Sequence, residues 1–214
     1  MLKFDGKHCY LCGNVIMTHA DGDHDHIPPR NIFPTKISGN LITVPTHKSC
    51  NNGFSKYDEP FRNYLTSCCY DKEKAKEVHQ TKVRKSFDGP IGDKKRQLFL
   101  SKVRDEIMTD DGELIKGPLV LIEKDDPSLV PQLERIIKGL YYHKLKKPLP
   151  FSALLEIYFK DIHDFNKIDF NPQWKEVEKD VFRYFLHTQQ GDDAKGISGL
   201  VFYEKIFCLG FFGL

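Results

Sequence analysis

An α+β fold is predicted for this chain of 214 residues from three features of its sequence. The first 51 residues hold two ligand pairs, Cys9-Tyr-Leu-Cys12 and His47-Lys-Ser-Cys50, set around short strand-like segments. Residues 72–86 and 93–109 are rich in Lys, Arg and Glu and read as two helices. Beyond residue 110, apolar strand-like runs follow one helix of clear amphipathic period. The expected organisation is a small two-strand, one-helix module over 1–66 and a basic helical segment over 67–109. An α+β domain over 110–214 follows, expected to target or regulate rather than catalyse.

In the first module, residues 8–20 read as a metal knuckle leading into a short strand, with Gly13-Asn14 at the turn and Val15-Ile-Met supplying apolar residues. Asp21-Gly22-Asp23 signals a turn before an extended piece ending at His26-Ile27. Pro28-Pro29 forbids helix and drives the chain into an irregular loop from Arg30 to Gly39. Leu41-Ile-Thr-Val44 is a second strand, halted by Pro45, and a helix starts near His47 or Lys48 and continues past Gly53 towards Leu65. This order of strand, loop, strand and helix brings His26 towards Asn51.

Gly89-Pro90-Ile-Gly92 separates the two basic helices, and Asp110-Asp111-Gly112 marks a turn and a domain boundary. Leu119-Val-Leu-Ile122 is a strand. Asp126-Pro127 opens a helix with apolar Leu129, Leu133, Ile136, Ile137 and Leu140. Strands are expected at 152–159, 181–187 and 197–208, with a polar loop at Gln189-Gln-Gly-Asp-Asp. Trp174 and the phenylalanines of this half are expected in the core. The apolar terminal run Ile206-Phe-Cys-Leu-Gly-Phe-Phe-Gly-Leu214 is read as a strand with an edge for a protein partner or a second copy of the chain.

Composition narrows the function classes. No basic region followed by an apolar run opens the sequence, and no apolar run approaches the ~20 residues that span a bilayer. Six cysteines without a secretion signal favour a reducing, cytoplasmic setting and metal binding over disulfides. The adjacent Cys68 and Cys69 are read as helix or core residues. Net charge is +2, yet residues 71–104 carry eleven Lys and Arg against five Asp and Glu. Residues 105–214 carry fourteen against nineteen. Lys82, Arg84, Lys85, Lys94, Lys95 and Arg96 are therefore the candidates for contacting a nucleic-acid backbone. There is no Gly-rich phosphate loop and no acyl-transfer triad.

Thiolate and imidazole are the ligands that zinc selects. Two x2 spacings make one four-ligand structural Zn2+ site from Cys9, Cys12, His47 and Cys50, with His8 as an alternative to His47. Between the pairs, His26 follows Asp25 at a strand end, and its imidazole has a pKa suited to activating water as a general base. Asp25 and Asn51 are the candidate oxygen ligands of a catalytic Mg2+ or Mn2+. Asp23-His24 repeats the Asp-His pair two residues earlier. The later pair is preferred because Ile27-Pro28-Pro29 puts it at the strand terminus. Arg30, in the following loop, is a candidate phosphate clamp.

Asp25-His-Ile-Pro-Pro29, Gly39-Asn40-Leu41 and His47-x-x-Cys50-Asn51 together resemble the HNH motif of the ββα-metal (His-Me finger) endonucleases. The likeness is to the subgroup whose ββα unit is held by two zinc knuckles. It covers residues 8 to about 66. The resemblance implies phosphodiester hydrolysis of nucleic acid, foremost DNA, in anti-phage defence or mobile-element processing. It implies His26 as the general base and Asp25 with Asn51 on the catalytic ion. Asn40 would be the central asparagine that orients His26. His47 stands where the subgroup commonly has cysteine, and Asn52 is an alternative to Asn51. A zinc-stabilised module that binds nucleic acid without cutting it is the competing reading.

Overall fold

Strand β1 (Gly22–Ile27) pairs antiparallel with β2 (Ile42–His47), placing Asp25 opposite Val44 and His26 opposite Thr43. Between them the chain loops through a single 3-10 turn at Arg30–Ile32. Helix α1 (Lys48–Cys68) leaves β2 directly, with His47 as its N-cap. The computed structural model describes residues 6–108, 112–121, 126–160 and 170–213, apart from the side chains of 117–119 and 160. The expected turn residues Asp110 and Asp111 lie outside the described residues, as does Ile122 of the expected strand.

The basic segment forms α2 (Glu73–Val78), which runs through a π-helical turn at His79–Val83 into the short α3 (Arg84–Ser86). Helix α4 (Gly89–Leu100) has Pro90 in its first turn, where a missing N–H costs nothing. The helix expected over 93–109 stops there. Residues Val103–Met108 form β3, which pairs with β4 (Leu114–Val120) in an exposed hairpin. Charges at Arg104, Asp105 and Glu106 fit a helix by composition. Val103 and Ile107 instead find cross-strand partners in Val120 and Ile115, and pairing overrides local propensity.

Helix α5 (Val130–Leu145) follows, and then a five-stranded antiparallel sheet. Its strands are β5 (Leu155–Lys160), β6 (Lys175–Glu178), β7 (Phe182–Gln189), β8 (Asp192–Phe202) and β9 (Ile206–Phe212). The order in space is β5-β9-β8-β7-β6. The terminal apolar run is therefore an interior strand, hydrogen-bonded on both sides, and offers no edge. Strand β6, the charged Lys-Glu-Val-Glu, carries no apolar run to announce it and exists through its ladder with β7.

Helix α5 is packed between the N-terminal hairpin and this sheet. A Cβ on Gly139 would come within 2.5 Å of Ile27 Cδ1, and one on Gly210 within 2.2 Å of Ile137 Cδ1. Small residues at both contacts let β1 and β9 approach opposite faces of one helix. The result is one continuous core. Tyr10, Ile27, Val44 and Phe61 share it with Leu133, Ile136 and Leu140 of α5, and with Phe182, Leu200 and Phe212 of the sheet. The boundary expected after residue 66 falls inside α1, and the core runs across the one expected at 110. Among the described residues, no helix is long and apolar enough to cross a membrane.

Candidate metal centre and adjoining groove

Cys9 and Cys12 lie on a tight knuckle. Gly13 takes a left-handed backbone (φ +75°) and donates its N–H to the Cys9 carbonyl at 2.9 Å, while Cys9 N–H reaches Asn14 O at 2.9 Å. His47 and Cys50 occupy the N-cap and third positions of α1, whose side chains converge at a helix start. The four ligand atoms, three Sγ and one imidazole nitrogen, all lie within 4.8 Å of one another. His47 Nδ1 is 3.4 Å from Cys12 Sγ. A tetrahedral ion with Zn–S near 2.3 Å and Zn–N near 2.1 Å requires about 3.6 Å between such a pair. The cluster can hold a metal ion. His8 is not part of it, since its Nδ1 donates to the Gly13 carbonyl at 2.8 Å.

Two of the thiols are shifted in opposite directions. Burial opposes the Cys9 thiolate. Hydrogen bonds from the Thr46 hydroxyl and from the backbone N–H groups of Cys12, His47 and Leu11 outweigh it and bring the pKa down to about 6. Burial, followed by the charges of Cys9 and Cys12, pushes Cys50 up to about 12. Three sulfurs this close cannot all ionise unless a positive ion lies between them, and a bound divalent metal reverses that repulsion.

Strand alternation sends Asp23 and Asp25 to one face of β1 and His24 and His26 to the other. The acidic face is closed. Asp25 is 4 % exposed, and both of its oxygens are taken by Arg135 of α5, which is 1 % exposed, at 2.6 to 2.9 Å. The same guanidinium donates to Asp58 at 2.7 Å, to Gln132 at 3.1 Å and to Asn51 Oδ1 at 3.1 Å. Tyr10 donates its hydroxyl to Asp25, and Asn51 Nδ2 donates to Asp23 at 2.9 Å. Burial opposes the charge of Arg135, but Tyr10, Asp25 and Asp58 hold its pKa above the usual arginine value. Asp25 and Asn51 meet around an arginine on the face of β1 opposite His26, so the order of elements brings Asn51 to the aspartates and not to His26. As placed they do not fit a divalent ion, because a guanidinium already stands at the cation position between them.

The histidine face is open. His26 shares a broad groove with Arg30, Lys36 and Asn40. Burial, and next the charge of Arg30, lowers the His26 pKa below its ordinary 6.5. His26 is therefore a neutral base at pH 7. No side-chain hydrogen bond joins Asn40 to His26 among the described residues, so Asn40 lines the groove beside the ring. The loop that carries these residues is pinned from three sides. Lys82 donates to Phe33 O at 2.6 Å and to Asn31 O at 3.4 Å. The Tyr203 hydroxyl donates to Ile32 O, and Glu178 accepts from Ser38 N–H and Ser38 Oγ, both at 2.9 Å, and from Gly39 N–H at 3.2 Å.

The basic candidates divide. Lys82 is half-buried and holds the loop instead of facing solvent. Lys95 pairs with Glu59 at 2.9 Å and Arg96 with Asp93 at 2.7 Å, so each of these two cations has an acidic partner. Sequence reasoning missed Arg135, Glu178, Tyr203 and Tyr10. Each acts across more than a dozen residues of sequence, and only the fold makes these contacts. His143 and His187 of the second half lie far from the cluster in sequence, and His163 lies outside the described residues. No family model matches the chain, and no curated protein or solved structure matches it either.

Proposed function

We propose that this chain is a zinc-stabilised phosphodiester hydrolase of the HNH type that acts on nucleic acid, DNA foremost. The observation that supports it most is the placement of His26. It sits near the end of β1, facing an open groove with Arg30 and Asn40, within a strand–loop–strand–helix frame fastened by Cys9, Cys12, His47 and Cys50. Three thiolates and one imidazole favour zinc, and four protein ligands leave that ion no open position, so its role is structural.

The chain's own groups supply the following chemistry. Neutral His26 accepts a proton from the attacking water, and its lowered pKa keeps it in the base form at neutral pH. Arg30, in the same groove, places a fixed positive charge beside the phosphate that gains negative charge in the transition state. Asn40 offers an amide to the same phosphate or to the His26 ring. No step is assigned to a divalent ion at Asp25 and Asn51, because Arg135 holds both.

That closed acidic face favours one competing reading, a zinc-stabilised module that binds nucleic acid and does not cut it. One experiment separates the two. Plasmid and RNA are incubated with the zinc-loaded wild-type chain and with His26→Ala, each with and without added Mg2+ or Mn2+. Cutting by the wild type that His26→Ala loses supports the hydrolase. Binding without cutting under every metal condition overturns it in favour of the binding module.

A further inference from the structure

Lys7 and His8 lie before the first knuckle, His24 on β1, and His143 and Lys146 at the end of α5, yet all five line one pocket of about 460 Å³. Its remaining walls include Thr43 and Pro45 of β2 and Tyr142, and no carboxylate is among them. Among the described residues, Lys7 and Lys146 form no ion pair, unlike Lys95 and Arg96. A pocket whose lining holds two ammonium groups and no carboxylate, with imidazoles beside them, suits an anion.

Its position says which anion. Thr43, in its wall, is the cross-strand partner of His26, and His24 is two residues from His26 on the same strand face. Two residues along a strand span about 6.6 Å. The pocket and the groove are thus neighbours along one open face of the β1–β2 hairpin, with Lys7, His143 and Lys146 at one end and Arg30 and Lys36 at the other. An isolated small anion needs only one of these sites. A chain of phosphates needs both.

We propose that this pocket is a second phosphate subsite, which holds a backbone phosphate of the same nucleic-acid strand whose reacting phosphate lies beside His26. The subsite rests on the hydrolase reading for the identity of its neighbour, but its binding is measured without cleavage.

The test uses the full chain carrying His26→Ala, so that the substrate stays intact, and a labelled duplex oligonucleotide titrated across a salt series. Each phosphate contact contributes a slope of about −0.9 in log affinity against log salt for duplex DNA. His143→Gln with Lys146→Gln, at the C-terminal end of α5, is expected to flatten the slope by about one and to weaken binding at low salt. Lys7→Gln alone should act in the same direction, which guards against a fold defect in the double variant. Zinc content and circular dichroism must match the parent. An unmoved slope in both variants, or a parent that binds no oligonucleotide at low salt, overturns the subsite. The two readings fail separately. Cleavage by wild type with an unmoved slope removes only the subsite, whereas a flattened slope without any cleavage removes only the hydrolase.

Discussion

Arg135 and Asp25, 110 residues apart in sequence, form a fully buried ion pair in which Arg135 Nη2 touches both carboxylate oxygens, at 2.6 and 2.7 Å. The pair joins the N-terminal hairpin to α5 and sets the charge balance of the acidic face. Removing one member of such a pair leaves the other charged and dry. Arg135→Met is expected to cost about 3–5 kcal/mol of stability, measured by denaturant unfolding. Asp25→Ala should likewise lower stability, not merely alter the response to Mg2+. An Arg135→Met chain as stable as wild type would show the pair to be dispensable.

Metal content is the second expectation. Purified protein should carry about one zinc per chain, since the cluster is built by four ligands and a small hairpin unit has little core of its own. Cys12→Ser should lose the metal and lower solubility. Acid should release the ion, because thiolate and neutral imidazole are the binding forms and protons compete for them. Elemental analysis that finds no metal would remove the centre.

The pH profile of cleavage tests His26. Its pKa lies below 6.5, so the neutral base persists as pH falls through 6.5, and activity should decline only below that value. Burial comes first among the causes and Arg30 second. Arg30→Gln should therefore raise the His26 pKa and move the acid limb to higher pH, besides lowering the rate. His26→Ala should reduce cleavage by roughly 10²–10⁴-fold with zinc content unchanged. If His24→Ala abolished cutting and His26→Ala did not, the catalytic register would shift by two residues.

The basic helix gives a contrast. With Lys95 held by Glu59 and Arg96 by Asp93, replacing Lys94, Lys95 and Arg96 by Gln should change the salt slope by less than one. Three full phosphate contacts would change it by about 2.7. A loss of that size would place the substrate on α4 instead of the hairpin face.

Truncation after residue 110 should yield insoluble protein. It removes Arg135 from Asp25, Glu178 from Ser38 and Gly39, and Tyr203 from Ile32, and it exposes the face of the hairpin that α5 covers. A soluble, zinc-loaded fragment would show that the hairpin module folds alone.

The N-terminal frame was legible because its signals are local. Cysteine spacing, Pro28-Pro29 and the helix start at His47 each act within a few residues, and strand, loop, strand and helix follow in the expected order. The periodicity of α5 was equally plain, with Leu133, Ile136, Ile137 and Leu140 all buried. Pairings were not legible. Nothing local in Val103–Met108 announces a strand, and an apolar terminal run reads the same whether it ends at an edge or inside a sheet. The fate of Asp25 shows the same limit. Its neighbours in sequence suit a metal ligand, and a single arginine on a distant helix decides otherwise.

The interior position of β9 has a consequence for the timing of synthesis. Among the described residues strand β5 ladders only with β9, which is made about 50 residues later. Glu178 and Tyr203, which fix the groove loop, belong to the same sheet. A partly translated chain therefore has its metal knuckles and His26 but no finished sheet to set the groove. Until β9 is in place, the contacts from Glu178 and Tyr203 that fix the groove loop rest on an incomplete sheet.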